Sequence, residues 1–365
     1  MAKRVSVDKW LFTTTTLLVF AGLVMVFSAS AVMAKANPAY HSAYYFLVRQ
    51  FLWSCAGLAA MLALMNFDYH RYRAPAAVFS MLGITVLLLL SVFLLDRSHN
   101  THRWFRAGPF SFQPSEVAKL ALILFLAWFL EQKTKQMQDW HSLIAPALVT
   151  GVLAGLIAAE PDLGTAIVCV AIACATLFVA GVRLRYYLWP LALSPAAFYF
   201  LVWRVPWRRE RILGFLNPEA DPQGRGFHII QSLIAVGTGG IMGVGLMEGK
   251  QKLFYLPEPH TDFIFASIAE EWGLVGSLTI VLLFAVFCYR GIRAAMLARE
   301  PFARFLAAGI TSMIGIQALF NISVVLALVP TKGIPLPFIS YGGTSLFVTL
   351  AAAGVLLNIT QQLDS

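Results

Sequence analysis

The segment Leu256-Pro-Glu-Pro-His-Thr-Asp262 brings Glu258, His260 and Asp262 together immediately ahead of a long apolar run. A carboxylate or imidazole placed where an apolar segment meets water suits general-base chemistry. Partial burial tunes its proton affinity, and the open side admits a substrate hydroxyl. Thr261 and Asp262 are equally the residue types that cap a helix by accepting bonds from its first free amides, and the two roles are compatible.

Other segments carry chemistry less directly. Gln113-Pro-Ser-Glu-Val-Ala-Lys119 puts a proline in a first helical turn and sets Glu116 and Lys119 on one face, as a structural ion pair or as a pair lining a cavity. Residues 330–345 hold three prolines and three glycines, which forbid a regular helix. Irregular backbone at membrane level is tolerated only inside protein or beside a watery cavity, so Lys332 and Ser340 are candidates to line one. Glu270 and Glu271 lie about 12 Å beyond Asp262 along a helix, a depth at which charge is expensive; a buried structural pair is the first reading and a cavity-facing role the second. The glycine-rich run from Gly237 to Lys250 invites a phosphate-loop reading, but Val244 and Gln251 stand where that motif needs glycine and a hydroxyl. Close packing or a re-entrant turn explains it better. Cys55, Cys169, Cys174 and Cys288 all fall in apolar runs without CxxC spacing, which argues against a disulfide framework and a zinc site.

These residues must be held by membrane-embedded helices. Of 365 residues, 59% are hydrophobic and 12% charged, too few charges to solvate a soluble domain of this size. Repeated apolar runs of about 20 residues satisfy their backbone in lipid only as helices. The pattern predicts an all-α integral membrane protein with about ten spans, near 11–34, 44–66, 74–95, 114–130, 142–160, 163–181, 187–203, 264–289, 305–328 and 341–360. Glu160-Pro-Asp-Leu-Gly164 is a tight re-entry between the fifth and sixth.

Short loops rich in Lys and Arg (Lys3, Arg4 and Lys9; Arg71 and Arg73; Lys133 and Lys135; Arg183 and Arg185; Arg290 to Arg304) share one side, so both termini are expected in the cytoplasm. The other side carries residues 96–113 and one large loop, 204–263, expected to be extramembrane. That outer side is itself basic: Arg97, Arg103, Arg106, Arg204, Arg208, Arg209, Arg211, Arg225, Lys250 and Lys252. Any one of them serves as a headgroup anchor; as a set they suggest an anionic ligand. The net charge of +9 is scattered over loops, with no aromatic-interleaved basic domain for nucleic acid.

Read together, Val26-Phe-Ser-Ala-Ser30, Gln113-Pro-Ser-Glu-Val-Ala-Lys119, Pro161-Asp-Leu-Gly-Thr165, Asn217-Pro-Glu-Ala-Asp221, Leu256-Pro-Glu-Pro-His-Thr-Asp262 and Pro337-Phe-Ile-Ser-Tyr-Gly-Gly343 resemble the SEDS family, the FtsW and RodA proteins of bacterial wall synthesis. The resemblance covers nearly the whole chain, with Pro259 and Trp272 as minor departures. Phe-Ser-Ala-Ser and Pro330-Thr-Lys-Gly look more like the division branch, FtsW, than the elongation branch. The resemblance implies a ten-span fold in the bacterial cytoplasmic membrane and a peptidoglycan glycosyltransferase polymerising lipid II at the outer face. It also implies a class B penicillin-binding transpeptidase as partner, among other division or elongation proteins. It marks Asp262 as essential and places Glu116 and Lys119 in the central cavity; the residues themselves add Glu258, His260, Thr261 and Ser340 as cavity candidates.

In that chemistry a sugar hydroxyl attacks an anomeric carbon while pyrophosphate leaves. Because pyrophosphate departs as a stable anion, one base suffices and no second carboxylic acid is needed. Asp262 is the expected base, and Arg103, Arg208, Arg211, Lys252 and Lys332 are the candidate clamp for the departing charge. A divalent cation, Mg or Mn, would share that load, although no ligand cluster in the sequence specifies one. A carrier that moves the lipid-linked precursor is the rival reading; it calls for ionisable groups near the midplane.

Overall fold

The computed structural model describes residues 7–38, 40, 42–95, 103–107, 110–133, 139–253 and 255–363, and of residues 106, 107 and 110 the backbone only. Lys3, Arg4, Arg97 and Lys135 lie outside the described residues.

Twelve α-helices run through the described residues: α1 (Lys9–Ala36), α2 (Tyr45–Met65), α3 (Pro75–Leu95), α4 (Pro114–Lys133), α5 (His141–Ala159), α6 (Leu163–Val179), α7 (Leu188–Phe198), α8 (Pro206–Leu216), α9 (Phe227–Gly239), α10 (Ile264–Leu297), α11 (Pro301–Val325) and α12 (Gly343–Gln362). A short antiparallel hairpin, β1 (Phe105–Ala107) with β2 (Phe110–Phe112), precedes α4. Seven helices are long and apolar enough to cross a bilayer by themselves: α1, α2, α3, α5, α10, α11 and α12. Three more complete the expected ten. α4 is as long but carries Glu116, Lys119, Glu131 and Lys133; α6 has 17 residues; and α7 continues through a π-helical turn before the chain bends by 106° into α8. The protein is a multi-pass membrane protein.

The helices form one core in which α4, α11 and α12 are the most enclosed, whereas α7 has no buried residue and packs chiefly against the turns that flank it. An apolar helix free of protein neighbours is stable only because lipid covers it.

Two features go beyond the expected span pattern. Residues 204–263 contain α8 and α9, and the apolar α9 lies along α10, with Ser232 Oγ donating to the Val325 carbonyl of α11 at 2.8 Å. And α10 is not regular throughout. It breaks at Gly273 (φ 65°, ψ −161°), a conformation that glycine tolerates because it has no Cβ.

The break frees backbone groups that the glycine-rich loop satisfies. Val244 and Gly245 amides donate to the Glu270 and Glu271 carbonyls at 3.0 and 3.1 Å. In return, Leu274 and Val275 amides donate to the Gly240 and Ile241 carbonyls at 2.9 and 3.1 Å. Gly239 and Gly243 lie against the Ala269 and Glu271 carbonyls, where a Cβ would collide. The run from Gly237 therefore serves close packing, the reading favoured from sequence.

Glu270 and Glu271 finish the same junction. Glu270 accepts from the Lys250 and Gln251 amides at 2.8 and 3.2 Å. Glu271 accepts from Met247 N at 3.0 Å, from Ser28 Oγ at 2.7 Å and from Lys252 Nζ at 2.7 Å. Ser28, from the first-span motif, thereby ties α1 to the break in α10. Lys252→Met is expected to destabilise the protein by about 3–5 kcal/mol, since it leaves a buried carboxylate without its counter-charge. Thermal unfolding in detergent reads this loss, and the further change Glu271→Gln should recover part of it.

Candidate active site

Asp262 sits between the end of the long loop and α10, and it caps nothing: Phe263 is the residue preceding the helix, and no side chain bonds the first amides. Its backbone is fixed instead. Asn321 Nδ2 of α11 donates to both the Asp262 and Ile334 carbonyls at 2.8 Å. Ser340 Oγ donates to the Thr261 carbonyl at 2.6 Å and accepts from Leu336 N at 2.8 Å. Tyr341 N donates to the His260 carbonyl at 2.9 Å. The irregular segment after α11 is thus bound to the 260–262 turn. Gly333 of that segment lies against the Asp262 side chain, where a Cβ would stand 2.5 Å from Oδ2.

The Asp262 side chain faces two cavities. One, about 570 Å³, is lined by Arg211, Asp221, Arg225, His228, Glu258 and Lys332 among others. The second, about 400 Å³, includes Arg103, Gln113, Glu116, Asp162, Glu258 and Thr261. Burial, with Glu258 and Asp162 adding negative charge, pushes the Asp262 carboxyl up to about 6, against the opposing pull of Arg211 and Arg103. A carboxylate with that proton affinity is ionised at neutral pH and basic enough to accept a proton from a hydroxyl as that hydroxyl attacks.

Cations gather on one side. Arg208, Arg211 and Lys332 are among the residues lining an apolar slot of about 180 Å³ between α6, α11 and the α7–α8 bend, with Leu163, Ile167, Phe198, Val202, Trp207 and Phe320. Both guanidiniums lie over the Trp207 ring, at 4.9 and 5.2 Å from its centre. The stem of Lys332 lies against Gly164 at the start of α6, where a Cβ would meet Lys332 Cγ at 3.0 Å. Burial brings the Lys332 ammonium down to about 8; Asp162 opposes that shift, and Arg208, Arg211 and Arg103 add to it. These like charges disfavour one another and are offset in part by Asp162 and Asp262, so the cluster favours an anionic ligand.

The other candidates divide plainly. Glu258 lines both cavities with its side chain 64% exposed. Arg103 lines the second while donating to the Glu160 and Pro161 carbonyls, at 2.9 and 2.5 Å. Glu116 faces the second cavity, and its partner Lys119, 2.9 Å away and fully buried, lies beneath it. The pair is thus a buried ion pair of which Glu116 alone lines the cavity. Lys252 is corrected: it is locked to Glu271 and Ser28, away from both cavities. His260 packs against Phe46 and Tyr341, and burial lowers it to about 4, so it is a neutral structural group. Ser340 orders backbone and is absent from both linings.

A larger apolar groove, about 930 Å³ between α6, α10 and α11, has Arg304 as its one charged lining residue among those described, and so offers no base for chemistry.

Residues 8–365 match the model of the FtsW/RodA/SpoVE cell cycle protein family. The chain belongs to that family. It is 46% identical to a probable peptidoglycan glycosyltransferase FtsW of Geobacter metallireducens over 94% of this chain and 91% of that one. It is 44% identical to the stage V sporulation protein E of Bacillus subtilis over 98% of each. Among solved structures, it superposes with TM-score 0.81 and 32% identity on a chain of a peptidoglycan synthase complex, described for its coordination of polymerization and crosslinking, over 98% of each. The rod shape determining protein RodA of Thermus thermophilus superposes with TM-score 0.70 and 26% identity over 99% of each. The FtsW/RodA/SpoVE motifs quoted from the sequence are the segments that build this site, the first-span motif excepted; there Ser28 braces α10, while Ser30 bonds the Val26 carbonyl within α1.

Two further residues of the site escaped the sequence reading. Asp162 caps α6 through Thr165 N at 3.2 Å, accepts from Thr165 Oγ1 at 2.8 Å, and faces the second cavity. A cap residue before Leu-Gly-Thr was the available signal. Glu160, just after α5, is fully buried with neither carboxylate oxygen bonded, and burial pushes it up to about 8. It holds a proton in the folded state that the unfolded chain releases. That contribution is complete below about pH 4.5 and lost as pH climbs through about 8. Glu160→Gln is therefore expected to flatten the fall in Tm between those pH values and to raise Tm at the upper one; an unchanged slope would contradict the buried neutral acid.

Proposed function

We propose that the chain is an inverting peptidoglycan glycosyltransferase that polymerises lipid II at the outer face of the bacterial cytoplasmic membrane. One observation carries the reading: an uncapped, partly buried carboxylate stands between two cavities, beside a cluster of cations that lines an apolar slot. The slot suits the prenyl tail of a lipid-linked donor, and Arg208, Arg211 and Lys332 suit its pyrophosphate. Asp262 takes the proton from the 4-hydroxyl of the acceptor N-acetylglucosamine as that oxygen bonds to the donor's anomeric carbon. The bond to pyrophosphate breaks on the opposite face, so configuration inverts, and the departing charge passes to the cations.

Among the described residues no group of three His, Cys, Asp or Glu side chains converges. A Mg or Mn ion arriving on the pyrophosphate would be held mainly by its oxygens, and no step here depends on it. The names of the relatives support a role in septal wall synthesis, and the complex among the structural matches supports a class B penicillin-binding protein as partner. The termini and the basic loops Arg71, Arg73, Arg183 and Arg185 would then be cytoplasmic. Against the carrier reading, Glu270 and Glu271 are committed to backbone amides and Lys252.

The test supplies labelled lipid II to the purified chain with and without the transpeptidase. Glycan strands formed by the wild type support the proposal. Lipid movement without strands would turn the assignment to transport, and neither outcome with the partner present would make the chain a scaffold.

A further inference from the structure

At the end of the bundle opposite Asp262, the start of α1, the second half of α10 and the end of α12 enclose a pocket of about 320 Å³ that the proposed reaction does not use. Arg290 lies 17 residues beyond the Gly273 break, about 25 Å along the second half of α10. The charged lining is Asp8, Lys9, Arg290 and Arg293. Asp8 is committed: its carboxylate accepts from Leu11 N at 3.1 Å and from Arg290 at 2.6 and 2.8 Å. That pair neutralises Arg290 and fixes the floor of the pocket. Lys9 and Arg293 remain exposed, with no hydrogen bond or ion pair among the described residues.

Beside these two cations stand apolar side chains that water does not explain. Trp10 is 65% exposed and Leu297 54%, and Val7 and Leu363 complete the wall. A basic pair flanked by exposed tryptophan and leucine at a membrane boundary matches a ligand with a charged head and a greasy body. A free anion would be served by the cations alone.

We propose that this pocket binds the phosphodiester headgroup of an anionic phospholipid in the leaflet opposite the active site. Lys9 and Arg293 contact the phosphate, and Trp10 and Leu297 lie along the first acyl carbons. The ligand bridges the first and last spans to α10, the helix that follows Asp262.

The experiment places the full chain in nanodiscs of equal parts phosphatidylglycerol and phosphatidylcholine and measures retained lipid by native mass spectrometry. Wild type should keep phosphatidylglycerol in preference to phosphatidylcholine. Lys9→Ala with Arg293→Ala should weaken that retention by roughly thirtyfold, the expectation for two basic side chains at a membrane surface. The charge-keeping pair Lys9→Arg with Arg293→Lys should retain it. Arg185→Ala with Arg299→Ala removes two basic residues at the same end outside the pocket and should change nothing. An equal loss in that control would mean diffuse attraction and overturn the site. So would full retention by the double alanine variant, or displacement of the lipid by inorganic phosphate, which would mark a free-anion site.

Discussion

Asp262→Asn is expected to lower lipid II polymerisation by about 100- to 10,000-fold, the range of a lost general base, while the folded protein becomes no less stable. The two halves of that expectation belong together. The carboxyl is pushed up to about 6 chiefly by burial, so its ionised form is disfavoured in the fold, and a neutral amide of the same shape removes that cost above pH 6. A cap or a structural ion pair behaves in the opposite way, losing stability on the same change. Polymerisation assayed with the transpeptidase present, alongside Tm in detergent, reads both halves. Wild-type strand synthesis by the Asn variant would remove Asp262 from the chemistry.

Lys332→Ala should cost about 100-fold in kcat with a smaller change in KM for the lipid donor, because charge accumulates on pyrophosphate only as the bond breaks. Lys332→Arg should recover part of the rate, since a third guanidinium keeps the charge but not the reach past Gly164. The comparison with Lys252 is informative. Both are loop lysines that the sequence reading placed in one clamp, yet Lys252 is bound to Glu271 and Ser28, so its loss should act through stability. Initial rates at varied donor concentration separate the two. A Lys332→Ala protein with wild-type kcat would move the leaving-group site elsewhere.

The sequence made the spans legible because hydrocarbon imposes one length and one secondary structure on an apolar run. Most helix ends differ from the expected ones by four residues or fewer, as at Pro301 against 305, and the Glu160-to-Gly164 re-entry is the short α5–α6 turn. Glu258, His260 and Asp262 stood out for a related reason, charge at the mouth of an apolar segment being expensive, but it was the resemblance that singled out Asp262 among them. Other features were hidden because they depend on what meets what. Gly273 looks like any helix glycine until the 240–245 loop lies across it and exchanges backbone bonds. Nothing local in Asn321 tells that its amide holds the Asp262 and Ile334 carbonyls together. Lys252 and Lys332 have the same composition signal, and only the fold sends one inward to a glutamate and the other to the slot. The apolar α9 was read as loop because its 13 residues are too few to span, although it needs only α10 to cover it.

The most direct test of the mechanism is the pH dependence of kcat/KM for polymerisation, which reports the free enzyme. Below its pKa, Asp262 carries a proton and cannot accept another, so the rate should rise with pH through about 6 and then level, turning down near 8 as Lys332 loses its charge. The residual activity of Asp262→Asn should lack the acidic limb. A wild-type profile flat between about pH 5 and about pH 7, or a limb that persists unchanged in the Asn variant, would contradict the assignment of this carboxylate as the base.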